Sequence, residues 1–97
     1  MEAISSKSRV FVKSFITGAT GTEDVEIAFI AQDVEPDELD WHAAGWDPPT
    51  AKGCAARILV GPGAGAVSLP DGTWAMWVRV TGPVQIPVLR AGLVPVT

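Results

Sequence analysis

Hydrophobic and polar residues alternate with period two in several short stretches of this chain. The clearest stretch runs from Thr73 to Thr81 and follows an Asp-Gly turn signal. Period two is typical of a β-strand that buries one of its faces. We therefore predict a strand here, with a core face and an outer, semi-exposed face. The core face is Trp74, Met76, Val78 and Val80, and the outer face is Ala75, Trp77, Arg79 and Thr81.

Similar alternation predicts further strands on both sides of this one. In the first of them, Val10, Val12 and Ile16 share one face, while Phe11 and Phe15 lie on the other. Prolines in the tail cannot donate a ladder hydrogen bond, which places the tail at a sheet edge. The predicted strands are Arg9–Thr17, Val25–Ile30, Cys54–Val60, a short Val67–Leu69, and Val84–Leu89 and Leu93–Val96 beyond the break at Gly82-Pro83.

Residues 31–53 lose the alternation and are strongly acidic. Pro36 suits the first position of a short helical turn, and Asp37 and Glu38 are favourably placed near the N-terminus of that turn. Trp41 and Trp46 follow it. This segment is predicted to be one irregular acidic loop that carries a short helical turn.

Short strands separated by glycine and proline turns predict an all-β fold, a small immunoglobulin-like β-sandwich. An open barrel is the alternative architecture. The chain has 97 residues, enough for one domain. We predict an N-terminal arm over residues 1–8 and a single sandwich domain over residues 9–97.

The charges are segregated along the chain. The net charge is −4, and nine of the eleven acidic residues lie between Glu23 and Asp47. An acidic chain has few cations to displace phosphate counterions, which argues against a nucleic-acid partner. One acidic and one basic region suit identical molecules that dock head to tail. A merely solvated acidic loop would give the same pattern.

The sequence does not indicate secretion or a membrane partner. The single cysteine, Cys54, cannot form an internal disulfide or a cysteine-based zinc site. The N-terminus has no apolar signal region, and no apolar run approaches the ~20 residues of a spanning helix. We expect synthesis in a cytoplasm.

No catalytic or cofactor motif is complete. Thr17–Gly21 lacks the third glycine and the helix of a dinucleotide turn, and Gly61–Gly65 lacks the lysine of a phosphate loop. The acidic run lacks the glycine and final glutamate of an EF-hand, although another oxygen-ligand cation site stays open. His42 is the only histidine, and a small enzyme centred on it is a further alternative. The prediction is a protein without enzymatic activity, cofactor or metal.

Aromatic and charged side chains outside the predicted core are the candidate contact residues. We predict that Trp77, Arg79 and Arg57 form one contact surface, since an arginine stem and an indole ring cover each other well. The acidic loop would form a second surface. Trp41 and Trp46 have three possible roles: capping the core, anchoring a protein interface, or stacking on a sugar as in a carbohydrate-binding module. The acidic candidates are Asp33, Glu35, Asp37, Glu38 and Asp40.

Several segments resemble small virion proteins encoded in the structural-gene clusters of tailed phages of actinobacteria and related prophages. This chain differs from the usual pattern of the family at two places. It has Trp74 where the family usually has tyrosine, and it has Val84-Gln85 where the family usually has a Pro-Glu pair. The resembling segments are Val25–Phe29, Trp41, Trp46, Ala56–Pro62, Gly72–Trp74, Trp77–Thr81, Ile86–Val88 and Gly92.

The resemblance implies a β-sandwich without catalysis that belongs to the virion. It implies a place near the head-to-tail connector or neck, with capsid decoration or a minor tail role as the alternatives. The implied partners are other virion proteins and further copies of this chain in a homo-oligomer. No active-site residue is carried over by it.

Overall fold

The computed structural model describes residues 3–5, 7–82 and 85–97, and the regular elements of these residues are strands and one 3-10 turn. The alternating stretches become strands because each can bury one face and hydrogen-bond on its flanks. The elements are β1 Val10–Thr17, β2 Asp24–Ile30, the 3-10 turn Glu38–Asp40, β3 Trp41–Ala43, β4 Gly45–Trp46, β5 Gly53–Val60, β6 Gly72–Thr81 and β7 Val88–Val96.

The strands form two antiparallel sheets with a shared core. One sheet has the order β1-β5-β4 and the other has the order β3-β2-β6-β7. Val12 of the first sheet and Ile27 and Val78 of the second are fully buried in one hydrophobic cluster. The predicted all-β class is confirmed, and the arrangement is compatible with a β-sandwich.

The core follows the predicted alternation. Every second residue of β2, from Val25 to Phe29, and of β6, from Met76 to Val80, belongs to the buried cluster. Trp74 packs against this cluster at its margin, and its indole N–H donates to the carbonyl of Pro70 at 2.9 Å. The core face of β6 is thus buried as predicted, whereas Ala75, on the face predicted to be semi-exposed, is also fully buried.

The tail forms one strand where two were predicted. Met76 pairs with Gly92 and Trp77 pairs with Arg90, so Ala91 has no opposing residue and forms a β-bulge. The bulge absorbs the irregularity around Gly92 without ending the strand. β7 is an edge strand, as predicted from Pro87, just before it, and Pro95, within it. Pro83 and Val84, the predicted break and strand start, lie outside the described residues.

The acidic segment is more ordered than predicted. Its helical turn begins two residues later than predicted, at Glu38, so Pro36 precedes the turn. Asp37 lies just before the turn, and the Asp37 backbone N–H donates to Asp40 Oδ2 at 2.8 Å. It also contains β3 and β4, which were not predicted because two or three residues are too few to show a period. Ala44 connects these two strands, and the chain passes there from one sheet to the other.

Two minor elements complete the fold. Ile4, within the predicted arm, pairs in parallel with Val96 on β7. The Ile4 N–H donates to the Pro95 carbonyl at 2.8 Å, and the Thr97 N–H donates to the Ile4 carbonyl at 2.8 Å. Val67 makes a single bridge to Val60, where a short strand was predicted.

Glycine is required at the start of β5. Gly53 has a φ of +153°, and a Cβ there would collide with the carbonyl oxygen of Ile16 on β1. The close approach lets the β1–β5 ladder continue to its last pair, Thr17 with Gly53. This strand pair is the scaffold for one of the two surfaces described next.

Candidate functional site

Trp77, Arg79 and Arg57 fall on two opposite outer faces of the molecule. Arg79 and Trp77 lie on β6 and point away from the core of the four-stranded sheet, whereas Arg57 lies on β5 and points away from the core of the three-stranded sheet. The prediction that Trp77, Arg79 and Arg57 form one surface is therefore wrong. Alternation along a strand shows which residues point outward, but it does not show which sheet the strand joins.

The covered face is the name used here for the outer side of the four-stranded sheet. A cross-strand row places the small Ala28 between Trp41 and Trp77. Ala28 is fully buried although it points away from the main core. Ile30 is also buried on this side. The two indole rings and the acidic segment thus close a second, smaller apolar layer over the sheet.

Arg79 holds the acidic segment to the covered face. Its guanidinium contacts Glu26, its cross-strand partner, at 2.8 Å and Glu38 of the 3-10 turn at 2.8 Å. It also lies 4.6 Å from the centre of the Trp41 ring, a cation–π arrangement. The side chain is only 17% exposed. Arg79 therefore contacts three groups of its own chain.

These contacts shift the pKa values of the charged partners. The hydrogen bond from Arg79, followed by its positive charge, lowers the pKa of Glu38 below its ordinary value. The hydrogen bond to Glu38 raises the pKa of Arg79. Both groups are thus charged at neutral pH, and the ion pair between sheet and turn persists there.

A shallow groove of about 490 Å³ separates the acidic segment from the tail strand. Glu35 and Asp37 line one side of the groove, and Val88 of β7 lines the other side. Trp77 and Arg79 lie between the two sides. Trp77 Nε1 is buried and has no hydrogen-bond partner among the described residues. The proposed role of Trp77 as an interface anchor stays a prediction, with its ring only partly accessible.

The acidic loop, defined as residues 31–40, exposes both charge and apolar surface. Asp33, Glu35 and Asp37 are exposed and make no ion pair with any described residue. Leu39 is 96% exposed and Val34 is 53% exposed. Leu39 and Val34 therefore leave apolar surface in water beside the exposed carboxylates of the acidic loop.

The aromatic face is the name used here for the outer side of the three-stranded sheet. Phe11 and Phe15 of β1 are each 52% exposed. They stand across from Leu59 and Ala55 of β5, with Lys13 between the two rings. β1 is the edge strand of its sheet, and among the strands of the described ranges it pairs with β5 alone. Both phenyl rings remain half in water, whereas Ala28 and Ile30 on the opposite outer face are buried.

One carboxylate organises the cations of the aromatic face. Asp47 accepts from Lys13 at 2.8 Å and from Arg57 at 3.2 Å. The Lys13 hydrogen bond is the main reason that the pKa of Asp47 lies below its ordinary value. The Arg57 guanidinium lies 5.0 Å from the centre of the Phe11 ring. Two cations share one anion, so the face keeps a positive charge.

The two tryptophans proposed as a sugar-stacking platform do not lie on one face. Trp41 faces outward on β3, with Arg79 over its ring. Trp46 pairs with Ala56 on β5 and packs toward the core, and its indole N–H donates to the Glu23 carbonyl at 2.7 Å. The capping role considered for Trp46 matches this position, and the joint platform is a prediction that the geometry contradicts.

The remaining candidates for chemistry are isolated. His42 is exposed on β3, and buried Cys54 donates to the Asp47 carbonyl at 2.8 Å. Within residues 3–5, 7–82 and 85–97, no group of three or more His, Cys, Asp or Glu side chains is arranged to hold a metal ion. No helix in the same ranges is long and apolar enough to cross a membrane.

The aromatic face is not among the predicted surfaces, although the sequence contains a signal for it. Phe11, Lys13 and Phe15 share the outer side of the first predicted strand. A comparison of the chain with known protein families, curated proteins and solved structures finds no match.

Proposed function

We propose that this protein is a noncatalytic structural component of a tailed-phage virion, which acts through protein–protein contacts in a symmetric assembly. The aromatic face is the observation that carries the contact role. Two half-exposed phenylalanines and an arginine on paired strands have the composition of an interface, where aromatic residues and arginine are enriched. Aromatic anchors held on strands also lose little conformational entropy when they bind.

The assignment to the virion is supported by the resemblance of the strand segments. Within the particle we propose the head-to-tail connector or neck region, with capsid decoration or a minor tail role as the alternatives. The protein would contact other virion proteins and further copies of itself. It would be made in the host cytoplasm and function in the particle.

The finer fold assignment, an immunoglobulin-like sandwich, is part of the same proposal. Its support is the strand order. The order β1-β5-β4 matches strands B-E-D of that fold, and β3-β2-β6-β7 matches C′-C-F-G. In this correspondence the aromatic face is the outer side of the B-E-D sheet.

The geometry argues against a carbohydrate-binding module that stacks a sugar on Trp41 and Trp46 together, because the two rings belong to different sheets. A saccharide titration followed by tryptophan fluorescence checks this directly. We expect no saturable change in emission, and a saturable change that a Trp41→Ala variant abolishes would restore this candidate.

The virion proposal is tested on particles of the phage or prophage that carries this gene. Particles purified through a density gradient would be digested and analysed by mass spectrometry. We expect peptides of this chain in a fixed ratio to the major capsid protein through successive purification steps. Absence of the chain from infectious particles would overturn the virion assignment.

The contact role is tested in the same particles with a matched pair of variants. Phe11→Asp together with Phe15→Asp disrupts the aromatic face, while Ile86→Asp changes an exposed apolar residue elsewhere. We expect the first variant to fold and to be lost from the particles. The second should be incorporated like the unmodified chain, and equal incorporation of both would remove the aromatic face from the proposal.

A further inference from the structure

We infer that the aromatic face of one copy binds the acidic loop of a second copy, so that the chains associate head to tail. This inference deepens the proposed function, because it names the partner and the two surfaces that meet. It rests on that proposal for its biological setting only, since the contact itself is a property of the isolated chain.

The two surfaces are complementary in charge. The acidic loop carries five carboxylates, and among the described residues only Glu38 pairs with a cation. The aromatic face carries Lys13 and Arg57, which share a single carboxylate. An acidic partner would supply the negative charge that this face lacks, and such complementarity speeds encounter and fixes orientation.

The two surfaces are also complementary in their apolar groups. Leu39 and Val34 project from the acidic loop into solvent, while Phe11 and Phe15 border Leu59 and Ala55 on the other surface. A leucine placed between two phenyl rings removes apolar area from water on both molecules. Charge around an apolar centre is the usual anatomy of a protein interface.

The acidic loop is held in place before any partner arrives. Asp37 and Asp40 close the 3-10 turn, and the Arg79–Glu38 ion pair ties that turn to the sheet. The turn therefore presents Leu39 without a large ordering cost on binding. This assigns a purpose to the covered face: its internal contacts support the loop that a neighbouring copy would receive.

The positions of the surfaces determine the kind of assembly. They belong to the outer sides of different sheets, which lie on opposite sides of the shared core. Two copies related by a two-fold axis could not satisfy both contacts at once. Each association leaves one acidic loop and one aromatic face free, so the contact propagates into a ring or an open filament.

The test uses two variants that each retain one functional surface. The face variant carries Phe11→Asp and Phe15→Asp, and the loop variant carries Asp33→Lys, Glu35→Lys and Leu39→Ser. Sedimentation velocity should show species larger than a dimer for the unmodified chain and monomers for each variant alone. An equimolar mixture should give a dimer and nothing larger, because only one productive contact remains.

Several outcomes overturn the inference. The unmodified chain could stay monomeric at the highest soluble concentration, or the loop variant could still associate alone. The mixture of the two variants could also stay monomeric although circular dichroism shows that both are folded. Ile86→Asp is the control, and we expect it to associate like the unmodified chain. Raising the salt from about 0.05 M to about 0.5 M should weaken the association, because it screens the exposed charges.

A cysteine pair keeps the inference testable if a charged variant does not fold. A chain carrying Phe15→Cys and Leu39→Cys should form a ladder of disulfide-linked multimers under a mild thiol oxidant. The unmodified chain is the control, because its only cysteine is buried. Absence of the ladder would contradict the proposed contact.

The failure of this inference is separable from the failure of the proposed function. Particles that contain the chain, together with a chain that never associates with itself, would overturn the head-to-tail contact alone. A chain that associates as described but is absent from particles would overturn the virion assignment alone.

Discussion

The covered face and the aromatic face both carry aromatic rings and arginine, but their contacts differ. On the covered face, Arg79 reaches two carboxylates and the Trp41 ring within its own chain. On the aromatic face, Phe11 and Phe15 remain half-exposed and two cations share Asp47. The difference shows that size and charge do not identify a contact surface. What identifies one is the part of the surface that the chain itself leaves uncovered.

The largest expected effect concerns the backbone beneath the aromatic face. Gly53→Ala should lower the free energy of unfolding by about 3 kcal/mol or more, because the left-handed conformation and the collision with Ile16 would both have to be relieved. Gly45→Ala in the same sheet is the control, since its Cβ would meet nothing within 4 Å. It should change the stability by less than about 1 kcal/mol. Urea denaturation measures both.

A similar loss for the two glycine variants would mean that β1 is not held tightly against β5. The aromatic face would then be a loose edge and not a preformed surface, and the contrast between the faces would disappear.

The next largest effect distinguishes an aromatic residue of the covered face from one of the aromatic face. Trp77→Ala should cost about 2 to 3 kcal/mol, because it removes a half-buried ring beside Ala28 and opens the groove. Phe15→Ala should cost less than about 1 kcal/mol, because half of its ring is already in water. Equal shifts of the urea midpoint for the two variants would contradict this account of the faces.

A smaller effect is expected when the anchor of the acidic loop is removed. Arg79→Met keeps part of the side-chain stem but leaves Glu26 and Glu38 without their shared cation. We expect a smaller stability loss than for Trp77→Ala, together with faster amide hydrogen exchange in residues 33–40. Arg57→Met is the matched control on the aromatic face, and unchanged exchange in the loop of the Arg79 variant would argue against the anchor.

The smallest effect is a loss of stability in acid. The folded-state pKa values of Glu38 and Asp47 lie below the ordinary values of 4.5 and 3.8. Their contributions are therefore fully present above those ordinary values and are lost as the pH falls through the folded-state values. Thermal unfolding should show a lower melting temperature at about pH 3 than at about pH 6. A Glu38→Gln and Asp47→Asn double variant should show less of this decrease.

The strands could be predicted wherever the chain was long enough to show its period. Val25, Ile27 and Phe29 alternate over a whole strand, and their burial follows directly. β3 and β4 were missed because so few residues contain no measurable period. The sequence predicts a gap between two strands where the structure has the bulge at Ala91, because alternation alone does not show that a ladder resumes with a shifted register.

The candidate surfaces were harder to predict because they depend on pairing between distant residues. Arg79 faces Glu26 only because β6 pairs with β2, and Arg57 lies on the opposite side only because β5 pairs with β1. Local sequence does not specify these partners. The composition of the acidic loop predicts its position on the surface. The exposure of Leu39 could not be predicted, because it depends on which side of the turn packs against the sheet.

The pairing of β1 with β5 also affects the order in which the molecule assembles. β6 and β7 are joined by residues 82–87 and can pair as a local hairpin. β1 and β5 are far apart in the sequence, so the pairing of Val10 with Val60 is long-range. Long-range pairs form late because closing the loop costs entropy before any contact is gained. We expect the β6–β7 hairpin to form early in refolding and β1 to dock late. Until then, the same phenylalanines that suit an interface are carried on an unpaired strand, so refolding at high concentration should compete with aggregation.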